Sequence, residues 1–403
     1  MNLLFITPYL PDENAGAAGS QLMWRTITGL ANRHRILLVT YLNPGDNPTP
    51  LIQLGVNVFT IPFTRFYGPL KKAPLKLLIK RLFTLLLSFL CLRPYELQKY
   101  RSRPMRRLIR ELLKKENIDL IQCEYNLSAL NLPKGIKIPR ILVEHDVSMK
   151  PYRRFMMSSR SILTRLNGFM QSWLWEYTEP RLCRNFNSIV TLTPEDKAYL
   201  LQHGVDVRIE VIAPPVNVHD VTTIKKSAMV GFVGSFNREA NQEALDEILH
   251  SIWPEIQQAQ PGCQLRIAGK HLKGKFLSQI ENDPQAEYDG FVEDIDSYIA
   301  ECSVFLAPIR LGGGLKMKIT HALACGTPVV TTSVGAEGIP ITDQEGLFVE
   351  DDSRMMAKLV INLLSSPDKM KQLSATAMAA VKSKFSLESA LGQYEELYRD
   401  LLA

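Results

Sequence analysis

This sequence is poor in cysteine and has no apolar run of membrane-spanning length. Its 403 residues include six scattered cysteines with no Cys-x-x-Cys pair. The common zinc and disulfide frameworks are therefore excluded, and reduced thiols are expected. The longest apolar run, Leu82–Leu92, is shorter than the roughly 20 residues that a spanning helix needs. Met1–Thr7 lacks a basic region, which predicts a buried strand and not a signal peptide. A globular protein of the cytoplasm is expected.

Signatures of several enzyme classes are also missing. The sequence has no Gly-x-Ser-x-Gly nucleophile elbow and no Gly-x-x-x-x-Gly-Lys-Ser/Thr phosphate loop, which argues against serine hydrolases and P-loop nucleotide hydrolases. Nothing in it indicates a nucleophilic triad or a substrate held through a metal ion. We therefore expect no metal and no cofactor.

Charge is divided unevenly along the chain, although the net charge is only +6. Residues 1–200 carry 29 Lys and Arg against 14 Asp and Glu, whereas residues 201–403 carry 18 against 27. The basic clusters are Lys71–Arg81, Arg101–Lys115 and Arg153–Arg165. A basic half suits an anionic partner such as a membrane surface, or is simply a solvated helix face. Because no aromatic reading surface is interleaved with these clusters, nucleic acid is not expected as a partner.

The apolar run Leu82–Leu92 follows the first basic cluster directly and ends at Arg93-Pro94. This setting predicts a helix that lies on an anionic bilayer, which would make the protein peripheral at the inner face of the membrane. A buried helix with basic flanks is the alternative.

Short apolar runs alternate with amphipathic helical segments, a pattern typical of parallel α/β sheets. The predicted strands of the first half are Leu3–Thr7, Ile36–Thr40, Val56–Ile61, Leu120–Cys123, Arg140–Val143 and Ser188–Leu192. Those of the second half are Met229–Gly234, Gln264–Ala268, Tyr288–Phe291, Val304–Ala307, Pro328–Thr331 and Leu347–Val349. The predicted helices include Ser20–Asn32, Met105–Lys115, Asn241–Ile252, Lys318–Ala324 and Leu387–Leu402. The length and pattern predict two Rossmann-like domains, joined by Pro214–Lys226, with ligands at the carboxyl ends of their strands.

The most informative segment joins a strand to a helix through Gly312-Gly313-Gly314. Glycines let the backbone approach an anion closely, and the start of a helix offers free N–H groups and the positive end of its dipole. Lys316 and Lys318 add positive charge at the same place. The segment predicts an anion site; a flexible turn followed by a core helix is the alternative.

The residues around this turn resemble the retaining glycosyltransferases of family 4, which have the GT-B fold. The family's helix of small residues followed by Gly-x-Pro-Val-Val is present as Ala322–Val330, and Gly335-Ala336-Glu337-Gly338 follows it. Three upstream segments are similar to the donor-domain strands and the loop near the base: Gly231–Ser235, Leu265–Gly269 and Gly290–Asp294. The resemblance covers nearly the whole chain and is most specific in residues 229–350. It implies two Rossmann-like domains that face each other across a cleft.

The resemblance also implies a division of the chain and an activity. Residues 1–213 would form the acceptor-side domain, residues 214–385 the donor domain, and residues 386–403 a helix that returns toward the first domain. Such an enzyme (EC 2.4, a hexosyltransferase) moves a sugar, with retention, from a UDP- or GDP-linked donor to a lipid-linked, polysaccharide or other glycan acceptor in cell-envelope or exopolysaccharide synthesis. Without a metal ion, the helix dipole and the lysines would stabilise the leaving diphosphate.

The resemblance also implies which residues form the site. His145, at the end of a strand, and Lys316 are predicted to be catalytic; a structural histidine bonded to the backbone is the alternative for His145. The residues predicted to bind the donor are Gly16, Ala17, Gly234, Ser235, Arg238, Gly269, Val292, Gly313, Gly314, Leu315, Lys316, Met317, Lys318 and His321.

The chain departs from the family pattern at two acidic positions. The family typically has two glutamates separated by seven residues, and these align with Gly313 and His321. Lys316, Lys318 and Arg238 are predicted to take over the diphosphate, and His321 is predicted to bind the ribose. The missing glutamates also favour an alternative, a non-catalytic GT-B scaffold or partner subunit. A nucleotide-sugar epimerase is a further alternative, but its acid/base carboxylates find no place in the sequence.

Overall fold

A computed structural model describes residues 1–15, 18–63, 75–149, 162–216, 228–312 and 314–403. These residues form two compact units by their contacts, Met1–Pro214 with Leu387–Ala403, and Pro215–Ser386. Residues 217–226 of the predicted linker lie outside the described residues.

The first unit is built on a parallel sheet with the strand order β3-β2-β1-β4-β5-β6-β7. Its strands are β1 (Asn2–Thr7), β2 (Arg35–Leu42), β3 (Asn57–Pro62), β4 (Leu120–Glu124), β5 (Arg140–Glu144), β6 (Ser188–Thr191) and β7 (Arg208–Val211). The first six lie within two residues of the predicted strands, because buried parallel strands are near-continuous apolar runs. β7 was not predicted; it is a short strand, Arg-Ile-Glu-Val, that pairs with β6 at one edge of the described sheet.

Helices connect these strands and cover the sheet. They are α1 (Ala18–Ala31), α2 (Thr49–Gln53), α3 (Leu75–Leu90), α4 (Tyr95–Lys99), α5 (Arg103–Lys115), α6 (Asn126–Ala129), α7 (Ile162–Cys183) and α8 (Pro194–Gln202). The start of α8 shows how sequence sets a helix end. Thr193 caps it, since its side chain accepts from the backbone N–H of Asp196, and Pro194 occupies the first turn.

The second unit contains another parallel sheet, with the order β10-β9-β8-β11-β12-β13. Its strands are β8 (Met229–Val233), β9 (Gln264–Ala268), β10 (Ala286–Gly290), β11 (Val304–Ala307), β12 (Val329–Thr331) and β13 (Leu347–Val349). Its helices are α9 (Glu239–Glu247), α10 (Trp253–Ala259), α11 (Lys275–Glu281), α12 (Ile295–Glu301), α13 (Met317–Ala324), α14 (Ser353–Leu364) and α15 (Pro367–Lys384). The helix predicted at Asn241–Ile252 is α9 followed by a π-helical turn, Ile248–Ile252.

The last helix, α16 (Leu387–Leu402), belongs to the first unit and packs against α1. A Cβ atom on Gly29 would lie 2.7 Å from Leu391 Cδ1, so the absence of a side chain at residue 29 allows this close approach. Arg33, in the turn after α1, donates two hydrogen bonds to the Glu388 carboxylate, over 2.7 and 2.9 Å. The buried face of α16, including Tyr398, joins the core beneath the sheet.

The apolar run Leu82–Leu92 forms the second half of α3 and the residues after it. Phe83, Leu86 and Leu90 are 59, 53 and 72% exposed, so this face is not buried in a core. Among the helices that the structure describes, none is long and apolar enough to cross a membrane.

Candidate functional site

The glycine-rich turn follows β11 in the second unit, where the strand order reverses between β8 and β11. Ligands of open α/β sheets bind beside the carboxyl ends of strands at such a point. Gly312 and Gly314 have φ angles of 103° and 64°, a left-handed conformation that favours glycine. The turn ends at α13, with Lys316 at the N-cap position. Gly313 lies outside the described residues.

Three cations gather at this helix start. Lys318 Nζ donates to Asn241 Oδ1 over 2.6 Å and lies 4.8 Å from the centre of the Phe232 ring. Although the Lys318 side chain is part-exposed along its length, burial of its ammonium group lowers its pKa to about 7, and the charges of Arg238 and Lys316 add to this effect. Lys316 Nζ donates to the Gly314 carbonyl over 2.6 Å. The result is a positive site that an anion would stabilise.

The turn after β8 is held against these cations by Asn241, which sequence reasoning did not single out. Its Nδ2 donates to the Ser235 carbonyl over 2.8 Å while its Oδ1 accepts from Lys318. A Cβ atom on Gly234 would lie 2.9 Å from Asn241 Cγ, and one on Gly269 would lie 1.7 Å from the Gly234 carbonyl oxygen. The ends of β8 and β9 are therefore tightly packed against each other at Gly234, Ser235 and Gly269, as Rossmann-type phosphate sites require.

Arg310 stands at the start of the same turn, but it is engaged elsewhere. Its guanidinium donates two hydrogen bonds of 2.7 Å to the Glu247 carboxylate, and a third of 2.6 Å to the Asp351 carbonyl. This bidentate pair ties the turn to the end of α9 and to the residues before α14. Arg310 thus acts in the structure as a brace.

His321 lies on α13, where its Nε2 is hydrogen-bonded to Asp296 Oδ1 of α12. Asp294-Ile295-Asp296 is an Asp-x-Asp pair, a spacing that the prediction of a donor site without a metal ion did not take into account. Asp294 caps α12 by accepting from the Ser297 backbone N–H over 3.0 Å. The structure therefore gives each of these aspartates a partner within the second unit.

Asp296, His321 and Cys325 form a group whose potential ligand atoms lie within 4.8 Å of one another in the described part of the chain. Burial, then the charges of Asp296 and Asp294, raises the pKa of the Cys325 thiol to about 12.

Of the remaining residues predicted to bind the donor, those that the structure describes lie in loops and at helix starts. Arg238 precedes α9 at its N-cap, and Leu315 and Met317 flank Lys316, all three part-exposed or exposed. Val292 is part-exposed in the loop after β10, next to the exposed Phe291. Gly16 and Ala17 lie outside the described residues.

His145 follows β5 in the first unit and is 4% exposed. Its Nε2 lies 2.7 Å from Glu124 Oε2 at the end of β4, and its ring stacks on Tyr125 with 3.9 Å between ring centres. Its partner is thus a carboxylate and not the backbone group expected of a structural histidine. This arrangement holds a histidine in one orientation, as acid/base sites do.

The backbone around His145 is also constrained. Tyr125 has a φ of 62°, which is unusual for a residue with a side chain. A Cβ atom on Gly19 would lie 1.8 Å from the Tyr125 hydroxyl and 2.8 Å from that of Tyr9. The first turn of α1 therefore closes on the two tyrosines only because residue 19 is glycine.

Three buried carboxyl groups lie behind this strand end: Glu144, Glu179 and Asp196. Burial raises the pKa of Glu179 to about 7, although the Ser148 and Met149 backbone N–H groups donate to it over 2.9 and 3.1 Å. Burial, then the Glu179 charge, raises the pKa of Glu144 well above its ordinary range. Burial of Glu144 therefore favours its protonated form in the folded protein.

Comparison with known proteins agrees with the fold. A sucrose-phosphate synthase from Thermosynechococcus elongatus superposes with a TM-score of 0.71 at 16% identity, covering 100% of this chain and 99% of that one. HepE of Anabaena, solved with UDP and glucose, superposes with a TM-score of 0.67 at 15% identity, over 99% of this chain and 100% of that one. The predicted pair of Rossmann-like domains is confirmed.

Sequence relatives and family models give the class. An uncharacterised 44.6 kDa protein in the cps region of Klebsiella pneumoniae is 22% identical over 324 residues, 76% of this chain and 79% of that protein. The lipopolysaccharide core mannosyltransferase LpsB of Rhizobium meliloti is 24% identical over 244 residues, 55% of this chain and 68% of that protein. The model described as Glycosyltransferase Family 4 matches residues 20–220, and that described as Glycosyl transferases group 1 matches residues 227–366. With both halves of the chain matched in this way, the protein belongs to glycosyltransferase family 4 and is a glycosyltransferase of the GT-B fold.

Proposed function

We propose that this glycosyltransferase takes its sugar from a nucleoside-diphosphate donor whose diphosphate binds at the start of α13. The observation that carries the proposal is the cluster of Arg238, Lys316 and Lys318 beside the glycine turn. Burial and the two neighbouring cations all lower the pKa of Lys318. The positive charge of the cluster therefore exceeds the negative charge that neighbouring groups supply. A diphosphate supplies the missing negative charge.

The same groups suit the chemistry of the reaction. Transfer breaks the bond between the sugar and the diphosphate, so negative charge grows on the departing phosphate oxygen. Lysines and helix N–H groups aimed at that oxygen stabilise the transition state more than the ground state. Neither family glutamate is needed for this step, and His321, held by Asp296, takes over the contact with the ribose.

In the first unit we assign His145 to the transferred sugar. Held by Glu124 and stacked on Tyr125, its imidazole presents a fixed hydrogen-bonding edge. Because Nε2 donates to Glu124, Nδ1 would accept a hydrogen bond from a hydroxyl group of the transferred sugar. Retention of configuration is proposed from the family resemblance.

A donor linked to UDP or GDP is proposed from the family resemblance, and the relatives support an acceptor in a surface glycan. LpsB and a phosphatidyl-myo-inositol mannosyltransferase of Propionibacterium freudenreichii are relatives named as mannosyltransferases. HepE was solved with UDP-glucose. The acceptor we propose is a lipid-linked or polysaccharide glycan of the cell envelope.

An acceptor of this kind requires access to a membrane, and the first unit has a suitable surface. Ile79, Phe83, Leu86 and Leu90 are exposed at helical spacing on α3. Trp173 is likewise exposed on α7, and tryptophan favours the interface of a bilayer. With the basic cluster Lys71–Arg81 next to it in sequence, this apolar surface suits an anionic bilayer.

The test is a screen of UDP-, GDP-, ADP- and dTDP-sugars for hydrolysis or transfer by the purified protein, with lipid acceptors supplied. Lys316→Ala should weaken UDP or GDP binding by about 1.5–3 kcal/mol, the scale of a hydrogen bond to a charged group. Lys382→Ala, on an exposed lysine of α15, is the matched control. His145→Ala should lower kcat more than KM.

The outcomes separate the proposals. Nucleotide affinity that is unchanged in Lys316→Ala, Lys318→Ala and the double variant would remove these lysines from the donor site. Tight nucleotide binding without turnover of any donor would instead indicate a scaffold.

A further inference from the structure

A chain of buried hydrogen bonds runs from His145 to the last helix of the first unit. Glu124 accepts at both carboxylate oxygens, with His145 Nε2 at 2.7 Å from Oε2 and Gln122 Nε2 at 2.7 Å from Oε1. Gln122 Oε1 in turn accepts from the Tyr398 hydroxyl over 2.5 Å. All four side chains are at most 4% exposed.

The Glu124 carboxylate sets the direction of every hydrogen bond in this series. A carboxylate only accepts hydrogen bonds, so Gln122 must turn its NH2 group toward Glu124 and its carbonyl toward Tyr398. The Tyr398 hydroxyl satisfies that carbonyl only as a donor. Burial, then Tyr394 and Glu124, raises the pKa of Tyr398 well above its ordinary range, so the hydroxyl keeps its proton.

The fold brings these groups together from distant parts of the chain. Gln122 and Glu124 are two residues apart on β4, so both point to the same face of the sheet. That face is covered by α16, which carries Tyr398 and begins only after the chain has completed the second unit. Residues 122 and 398 are separated by 276 positions.

We propose that Gln122 and Tyr398 are positioning residues that hold Glu124, and through it His145, in the single orientation that leaves Nδ1 for the ligand. The proposal rests on the role proposed above for His145. Stacking on Tyr125 fixes the plane of the imidazole, and the bond to Glu124 fixes its rotation within that plane. Without the Tyr398 hydroxyl, the buried Gln122 carbonyl loses its donor, and the amide can shift toward another donor and loosen its bond to Glu124. The Glu124 carboxylate, and with it His145, would then lose its fixed orientation.

The test is Tyr398→Phe, which removes one oxygen atom and keeps the ring in the core. Its kcat should fall about fivefold to tenfold, the effect of one buried hydrogen bond, with the donor KM within twofold because the donor-binding lysines are untouched. Tyr394→Phe is the matched control, since Tyr394 is buried on the same helix with its ring 6.1 Å from that of Tyr398. It should leave kcat unchanged. Gln122→Met breaks the chain at a second point and should reproduce the loss.

A readout independent of activity is the ¹⁵N spectrum of the histidine side chains, in which the His145 signals are those lost in His145→Gln. The wild type and Tyr394→Phe should show a single tautomer with the proton on Nε2, and Tyr398→Phe a mixture. Equal kcat in Tyr398→Phe and Tyr394→Phe, with a large loss in His145→Ala, would overturn the positioning role alone, as would one tautomer in all three proteins. An unchanged kcat in His145→Ala would instead refute the role proposed for His145 itself.

Discussion

The lowered pKa of Lys318 leads to a quantitative prediction for donor binding. In the free protein this lysine titrates near pH 7 because its ammonium is buried beside Arg238 and Lys316. A bound diphosphate would supply the opposite charge and return the pKa toward its ordinary value. Binding above pH 7 must then be accompanied by uptake of a proton.

The size of the effect follows from the fraction of Lys318 that is charged. With a pKa of about 7, that fraction is about one half at pH 7 and about 1% at pH 9. The dissociation constant for UDP or GDP should therefore rise about 50-fold between these pH values, or about 2.3 kcal/mol. At pH 8 about 0.9 proton should be taken up for each nucleotide bound. The nucleotide adds little to this change, because the last phosphate ionisation has a pKa near 6.

Titration calorimetry at pH 8, in two buffers with different heats of ionisation, counts the protons directly. Lys318→Arg keeps its charge throughout the range and should bind with a nearly flat pH profile. Lys318→Met should bind more weakly at pH 7 and also show a flat profile, whereas Lys382→Met should behave as the wild type. A wild-type dissociation constant that stays within twofold from pH 7 to pH 9, or binding at pH 8 without proton uptake, would refute the reasoning.

Two further predictions concern the first unit. A carboxyl group whose pKa is raised in the folded state holds a proton that the unfolded chain has lost, so its contribution to stability falls as pH rises from about 4.3 toward the raised value. Glu144→Gln should therefore raise the midpoint temperature of unfolding more at pH 8 than at pH 5. At pH 5 the neighbouring Glu179, with its pKa of about 7, is also protonated. An equal change in midpoint temperature at both pH values in thermal melts would contradict this. Binding to anionic vesicles in flotation assays should weaken with added salt. Phe83→Ser and Trp173→Ser should reduce this binding. Leu201→Ser, which alters an exposed leucine of α8, is the control and should leave it unchanged. Equal binding to neutral and anionic vesicles at low salt would remove the electrostatic contribution.

The sequence alone determined most of the two sheets and the character of the anion site. Buried parallel strands are short apolar runs bounded by turn residues, so β1 to β6 and β8 to β13 could be located within two residues. The glycine turn with Lys316 and Lys318 was equally visible, because positive φ angles and positive charge leave their mark on residue type. β7 could not be predicted, because Arg-Ile-Glu-Val becomes a strand through its pairing with β6.

Tertiary structure decided which side chains support the candidate site residues. Asn241 is an ordinary helix residue in sequence, and only the fold brings its amide between Lys318 and the turn after β8. In the same way, nothing local relates Gln122 to Tyr398, which the final helix brings against β4. Such partners contribute one hydrogen bond each and occupy no periodic position, so neither hydrophobic pattern nor motif spacing marks them. Their roles are set by distances in space, which packing of the whole unit determines.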